Sequence, residues 1–254
     1  MIALAKGPRV LNVCSGLTTY SKENALEMLE GEEWSELYLR LPVDWEDAIR
    51  AIGDGFDFDS VVEEMTDLGQ VRMPEDAQIV RSWKPFLEQM WGMIGERKVH
   101  CLMDPVSFGQ QRQISLDLAA ASVKARIGYL DLEEWRGLLE EDVLLLIREG
   151  EQEARLLSSN AKEDTACVDL SYESERRLEE NGFLVRRMAT GTVELPLSSL
   201  KGEMMNAKET GEEVSDERME KGIRDHLWFL ELLMASSSFE EACLTWYREV
   251  KTGS

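Results

Sequence analysis

Short apolar runs of strand length recur along the chain, separated by longer stretches in which apolar residues return every three or four positions. Arg9 to Cys14 reads as a first strand stopped by Ser15-Gly16, and a helix over about Ser21 to Gly31 follows with Ala25, Leu26, Met28 and Leu29 on its apolar side. Leu37 to Leu41 is a second strand, closed by Pro42 and followed by a helix from Asp44 to Ile52. Asp59 or Ser60 caps a short helix containing Val61, Val62 and Met65. Pro74-Glu75-Asp76 opens a further helix that runs to about Glu96, and Pro85 in its middle predicts a kink or a division into two helices. Lys98 to Met103 is the third strand, ending at Asp104-Pro105. Helical runs follow at Ile114 to Arg126 and at Leu132 to Glu149, the second opened by Asp131 with Glu134 three residues later. Thr165 to Leu170 makes a fourth strand, Ser171 caps a helix over Tyr172 to Glu180, and Asn181-Gly182 ends it before a fifth strand, Phe183 to Met188.

Strands that alternate with helical stretches imply parallel pairing through helical crossovers. The expected fold is therefore α/β: a three-layer arrangement of about five mainly parallel strands with helices on both faces, over residues 1–189. From Thr190 to Glu213 the composition turns to Gly, Ser, Thr, Lys and Glu, which predicts a loop or mobile connection over 190–213. A C-terminal helical pair over 214–254, from about Asp216 to Met234 and from Phe239 to Val250, is expected to pack on the same domain, with Ser238 and Glu241 at capping-box spacing.

Charge changes the choice of partner. The chain holds 28 Lys and Arg against 50 Asp and Glu, a net charge of −22, so it repels a phosphate backbone at long range. The densest basic pairs, Arg176-Arg177 and Arg186-Arg187, lie among acids or alternate across a strand, and a nucleic-acid partner is disfavoured. A surplus of Glu on helices is mostly a solvated surface, although it could also meet a basic partner. Apolar content is high enough for a folded core, since 43% of residues are hydrophobic and 7 are Trp. Met1 to Arg9 has too short an apolar run for a signal peptide, and no stretch approaches the 18 apolar residues that a membrane span would need.

Four cysteines, Cys14, Cys101, Cys167 and Cys243, are far apart with no CxxC pair, which predicts a reduced, cytoplasmic protein without a zinc module. Three of them fall in strands covered on both faces, where a free thiol behaves as a small apolar side chain. The chain has 2 histidines, His100 mid-strand and His226 on a helix beside Trp228, and no HExxH, GxSxG, GxxxxGK[ST] or GxGxxG. Zinc hydrolysis and a Ser-His-Asp triad are thereby disfavoured.

In an open parallel sheet, ligands bind beyond the carboxyl ends of the strands, where loops and helix N-termini converge. That rule selects Ser15 and Thr18 after the first strand, Asp104 and Arg112 after the third, and Asp169 and Ser171 after the fourth. Each also has an ordinary structural role: Asp before Pro ends a strand, Ser caps a helix, and Arg112 among Gln110, Gln111 and Gln113 suits a solvated loop. Asp169, one residue inside an apolar strand, must be either exposed at the tip or paired.

The succession of elements, with Val10 to Leu29 at the front and Thr165 to Val185 near the end, resembles the layout of the TraB, TIKI and erythromycin-esterase-like group of α/β proteins. That group carries GxxH after the first strand and a second His after the late one. Here Gly16-Leu17-Thr18-Thr19 ends in Thr and Asp169-Leu170-Ser171 has no His. The resemblance thus implies the fold with the group's metal-binding or catalytic imidazoles lost. Ser15-Gly16-Leu17-Thr18 after a first strand is similarly placed to the phosphate-contacting turn of nucleotide-sensing, Rossmann-like domains of the CRISPR-associated kind. Three functions are expected to compete: binding of a small polar ligand or protein partner at the strand ends, hydrolysis using Asp104 and Asp169 around a divalent cation, and a non-enzymatic acidic scaffold.

Overall fold

A computed structural model describes residues 7–95, 97–161, 164–191 and 193–252. Five strands form one all-parallel sheet in the order β3-β2-β4-β1-β5: β1 (Arg9–Cys14), β2 (Glu36–Pro42), β3 (Lys98–Met103), β4 (Thr165–Val168) and β5 (Leu184–Ala189). The helices between them are α1 (Thr19–Glu30), α2 (Glu46–Gly53), α3 (Phe58–Asp67), α4 (Ala77–Ile94), α5 (Pro105–Arg126), α6 (Leu132–Asn160) and α7 (Tyr172–Glu180). Three more, α8 (Pro196–Thr210), α9 (Asp216–Ala235) and α10 (Phe239–Thr252), follow β5. The chain divides into two compact units, residues 1–109 with 146–192, and residues 110–145 with 193–254.

The first unit has the expected three layers. Alternate residues of the central strands go to opposite faces, as a period of two requires. Leu11, Val13, Leu37, Leu39, Ala166 and Val168 pack with the apolar sides of α1 to α4, whereas Val10, Tyr38 and Cys167 pack with Ala154 and Leu157 of α6 and Leu178 of α7. Parallel crossovers are right-handed, so connections that run in opposite directions along the sheet must cross opposite faces. β1 to β2 runs one way behind α1, and β4 to β5 runs the other way behind α7. β4 is buried along its whole length, while the edge strand β5 shows solvent Leu184, Arg186 and Arg187. At the other edge Glu46 accepts the Cys101 N–H at 3.0 Å, which occupies one ladder donor that has no neighbouring strand.

Three differences from the sequence expectations have physical causes. Residues 196–210, expected as loop, form α8: Pro196 at the first turn suits a helix start, and Pro196, Leu200 and Met204 bury one side at a spacing of four. α5 begins at Pro105 rather than near Ile114, for the same proline reason, with Asp104 as its cap. α4 continues through Pro85, and Val80, Trp83, Phe86, Leu87 and Met90 are buried on both sides of it, so packing offsets the lost hydrogen bond.

In the second unit α9 and α10 meet through Phe229, Ala242, Cys243 and Trp246, with the Trp228 and Trp246 rings 5.0 Å apart at an edge-on angle. α8 approaches α9 so closely at Gly222 that a Cβ there would lie 2.9 Å from Leu200. Among the described residues, no helix is long and apolar enough to cross a membrane.

Candidate functional site

β4 is flanked by β1 and β2, and its connection leaves for the face opposite to both of theirs. Adjacent parallel strands whose crossovers diverge open a crevice at their carboxyl ends, the usual ligand position in such sheets. Two polar clusters occupy this edge of the first unit, one on each side of β4.

The first cluster joins Ser15, Lys22 and Asp169. β4 stops at Val168, two residues earlier than its apolar composition suggested, and Asp169 leaves it at a φ of 64°, in the left-handed region. Asp is among the few side chains that tolerate this conformation, at a small cost in strain. Its N–H still continues the ladder to the Val13 carbonyl at 3.0 Å, and the turn swings its carboxylate over the end of β1. There Oδ1 accepts the Ser15 N–H at 2.6 Å, and the Ser15 hydroxyl lies 3.0 and 2.9 Å from the two carboxylate oxygens. Lys22 donates to Ser15 Oγ at 2.7 Å and pairs with Asp169 Oδ2.

Lys22 sits on the core side of α1, four residues before Leu26 and seven before Leu29. Its side chain is 1% exposed against 23% for Asp169, and its ammonium lies 3.5 Å from the centroid of the Trp83 ring on α4. Burial pushes the lysine below its usual range, and the Asp169 carboxylate opposes that. A buried positive charge thus lies behind a partly exposed carboxylate and hydroxyl. Thr18, the other candidate of this loop, caps α1: its hydroxyl accepts the Ser21 N–H at 3.2 Å.

The second cluster lies on the β2 side. Arg40 leaves β2 toward α6, where its Nε meets Glu153 at 2.8 Å and its Nη2 meets Glu149 at 2.7 Å. Burial works against this charge, but Glu153 and Glu149 overcome it and raise the arginine pKa. Ser171 caps α7 by accepting the Ser174 N–H at 3.1 Å, and its hydroxyl reaches Glu153 at 3.3 Å. A cleft of about 240 Å³ opens beside it, lined by Asp104, Glu149 and Glu153 among others. The Ser15 cluster is outside that cleft.

On the α7 face Asn12 is fully buried in β1. Its amide donates to Glu175 at 2.7 Å and to the Leu170 carbonyl at 3.1 Å, and its oxygen accepts the Leu170 N–H at 3.1 Å, which fixes the backbone just after Asp169. Arg187 on β5 donates to Cys14 Sγ at 3.1 Å. Burial raises the Cys14 thiol pKa, with Arg187 opposing, so the thiol stays protonated near neutral pH.

The structure therefore brings together Ser15 and Asp169 of the residues selected from sequence, with Thr18 and Ser171 capping the two helices that flank them. Asp104 does not join Asp169. It caps α5 by accepting the Ser107 N–H at 2.8 Å, and its strand is separated from β4 by β2, about 10 Å at ordinary strand spacing. Among the described residues no group of three or more His, Cys, Asp or Glu could hold a metal ion. Arg112, expected on a loop, is about two turns into α5 and belongs to the second unit. Lys22, Arg40 and Asn12 lie inside α1, β2 and β1, away from the strand ends to which the rule for open parallel sheets points. All three carry a sequence signal, a charged or amide side chain on an otherwise apolar face. Set against protein-family models, curated proteins and solved structures, the chain matches none.

Proposed function

We propose that the first unit binds a small polar molecule in the crevice between the β1–α1 and β4–α7 loops, where Ser15 and Asp169 meet it. The observation that carries this reading is the convergence of Ser15, Lys22 and Asp169 at the point where adjacent strands send their helices to opposite faces. Two further features support it. A fully buried lysine is costly, and here it is spent on groups at the open edge of the sheet. The exposed side chains of Leu17, Tyr20 and Tyr172 lie on the same two loops and helix starts, and they supply apolar and aromatic surface beside the polar floor.

Thermal unfolding against sugars, sugar phosphates, nucleoside monophosphates and amino acids tests the reading. A ligand at a hundredfold excess over its Kd adds about 2.7 kcal/mol of stability. At least one class should raise the transition of the parent protein, and Ser15→Ala and Asp169→Asn should abolish that rise. A panel with no effect on the parent, or an effect that both variants retain, would overturn it.

A further inference from the structure

We propose that the outer face of α5 over residues 116–127, in the second unit, pairs with the same face of a second copy of this chain, antiparallel and about a twofold axis beside Ala120. α5 buries Ile114, Leu118, Ala121 and Ser122 on its inner side. At 3.6 residues per turn the opposite side carries Leu116, Ala119, Ala120, Val123 and, closing the last turn, Ile127. The side that a surface helix gives to water is ordinarily charged or polar. Here it is apolar: Leu116 is 45% exposed, Val123 63% and Ile127 80%, with Ala119 and Ala120 exposed between them. A helix apolar on both sides is the mark of one that is covered on both sides.

Charge selects the occupant. The chain carries a net −22, yet α5 holds three basic residues, Arg112, Lys124 and Arg126, against one acid, Asp117. Two copies therefore repel over most of their surface and least at this helix. Asp117 and Lys124 flank the apolar stripe on one side and stand about 5 Å to either side of the point between Ala120 and Ala121. A twofold axis through that point reverses the second helix and keeps this flank on the same side. It brings Lys124 of the second copy level with Asp117, and Asp117 of the second copy level with Lys124. A parallel pair would instead set Asp117 against Asp117 and Lys124 against Lys124. Both charges have room for a further partner: Gln113 reaches one oxygen of Asp117 at 3.1 Å, and Lys124, 47% exposed, gives Glu134 one of its three donors at 2.6 Å.

Packing has the same symmetry. The axis maps position 116 onto 125, so Leu116 of one copy falls level with the gap between Val123 and Ile127 of the other, a knob set against a hole on each side of the axis. Ala119 and Ala120 lie at the crossing, where small side chains let two helix axes approach to about 8 Å. Charges and apolar side chains thus share one centre of symmetry, which a contact between identical surfaces demands and a foreign partner does not. The matched stretch is about 17 Å long and buries less than the roughly 800 Å² per side typical of stable complexes, so the dimer should be weak and concentration-dependent.

Sedimentation velocity of the full chain tests the proposal. Between about 1 and 500 μM the parent should pass from monomer to dimer and to nothing larger, since a twofold contact closes on itself. Val123→Glu places a carboxylate in the apolar stripe and should weaken the dimer by about tenfold or more. Asp117→Lys and Lys124→Glu should each weaken it, because each sets like charges across the axis twice. An equimolar mixture of these two variants should dimerise again, since each then offers the charge that the other lacks. All three positions lie on the outer face, and circular dichroism should show each variant folded. A parent that stays monomeric throughout, a dimer that Val123→Glu leaves intact, or a mixture that dimerises no better than its two components overturns the proposal, and the face then belongs to a different occupant.

Discussion

Removing the charge of Lys22 gives the sharpest test of how the candidate site is held together. Lys22→Met keeps the aliphatic stem against Trp83 but leaves Asp169 without its cation. Losing one partner of a buried ion pair costs about 3–5 kcal/mol. Asp169 retains 23% of its side-chain exposure and two donors from Ser15, so water and those donors share the load, and the expected cost falls to about 2 kcal/mol. Asp169→Asn is the harsher change, because Lys22 is 1% exposed and cannot recover hydration; about 3–4 kcal/mol is expected. The double variant removes both charges and should cost about 2 kcal/mol less than the sum of the single changes. The chain has two units, so hydrogen exchange of β1 and β4 amides at pH 7, read by mass spectrometry, is the suitable assay of local opening. Additivity within about 0.5 kcal/mol would show that the two charges do not stabilise each other and would refute the account of the site. A larger cost for Lys22→Met than for Asp169→Asn would refute the argument from exposure.

Asn12→Leu removes four side-chain hydrogen bonds at a fully buried position, to Cys14, Glu175 and, twice, Leu170, and leaves the Leu170 N–H and carbonyl unmatched; a loss of about 2–4 kcal/mol is expected in urea unfolding followed by far-ultraviolet circular dichroism. Gly150→Ala should improve helix propensity by about 1 kcal/mol yet destabilise the protein. The new Cβ would lie 2.7 Å from Glu173 Cβ and 3.1 Å from Ser171 Oγ, forcing α6 from α7 at about 1–3 kcal/mol, and a melting temperature at or above that of the parent would contradict this. His226 is pushed down to about 4 by burial, aided by Lys201, so the folded state binds its proton more weakly than the unfolded chain. Its contribution is present above the ordinary histidine value near 6.5 and is lost as pH falls from there through about 4. Stability measured across that range should fall less steeply in His226→Gln, whose amide can still meet Ser122.

The parallel sheet was legible because its strands are short apolar runs bounded by strong punctuation: Ser15-Gly16 after β1, Pro42 at the end of β2, Asp104-Pro105 after β3 and Asn181-Gly182 before β5. α7 was legible too, since Ser171 as cap and Gly182 beyond its end act within a few residues. α8 was not, because a polar helix with three buried contacts has a composition close to that of a loop. The start of α5 was hidden because Asp-Pro reads equally as a turn and as a cap with proline in the first turn.

The candidate site divides in the same way. Local sequence determined that Ser15 and Asp169 end strands, because strand ends are set by neighbouring residues and by φ preferences. That β4 lies beside β1, putting residues 154 positions apart within hydrogen-bond reach, was decided by the order of strands in the sheet, which no local pattern encodes. Lys22 shows the difference most plainly. Its place in the apolar stripe of α1 is written in the spacing 22, 25, 26, 29, but a lysine there is tolerable only because tertiary packing supplies a carboxylate and an indole face within reach of its ammonium.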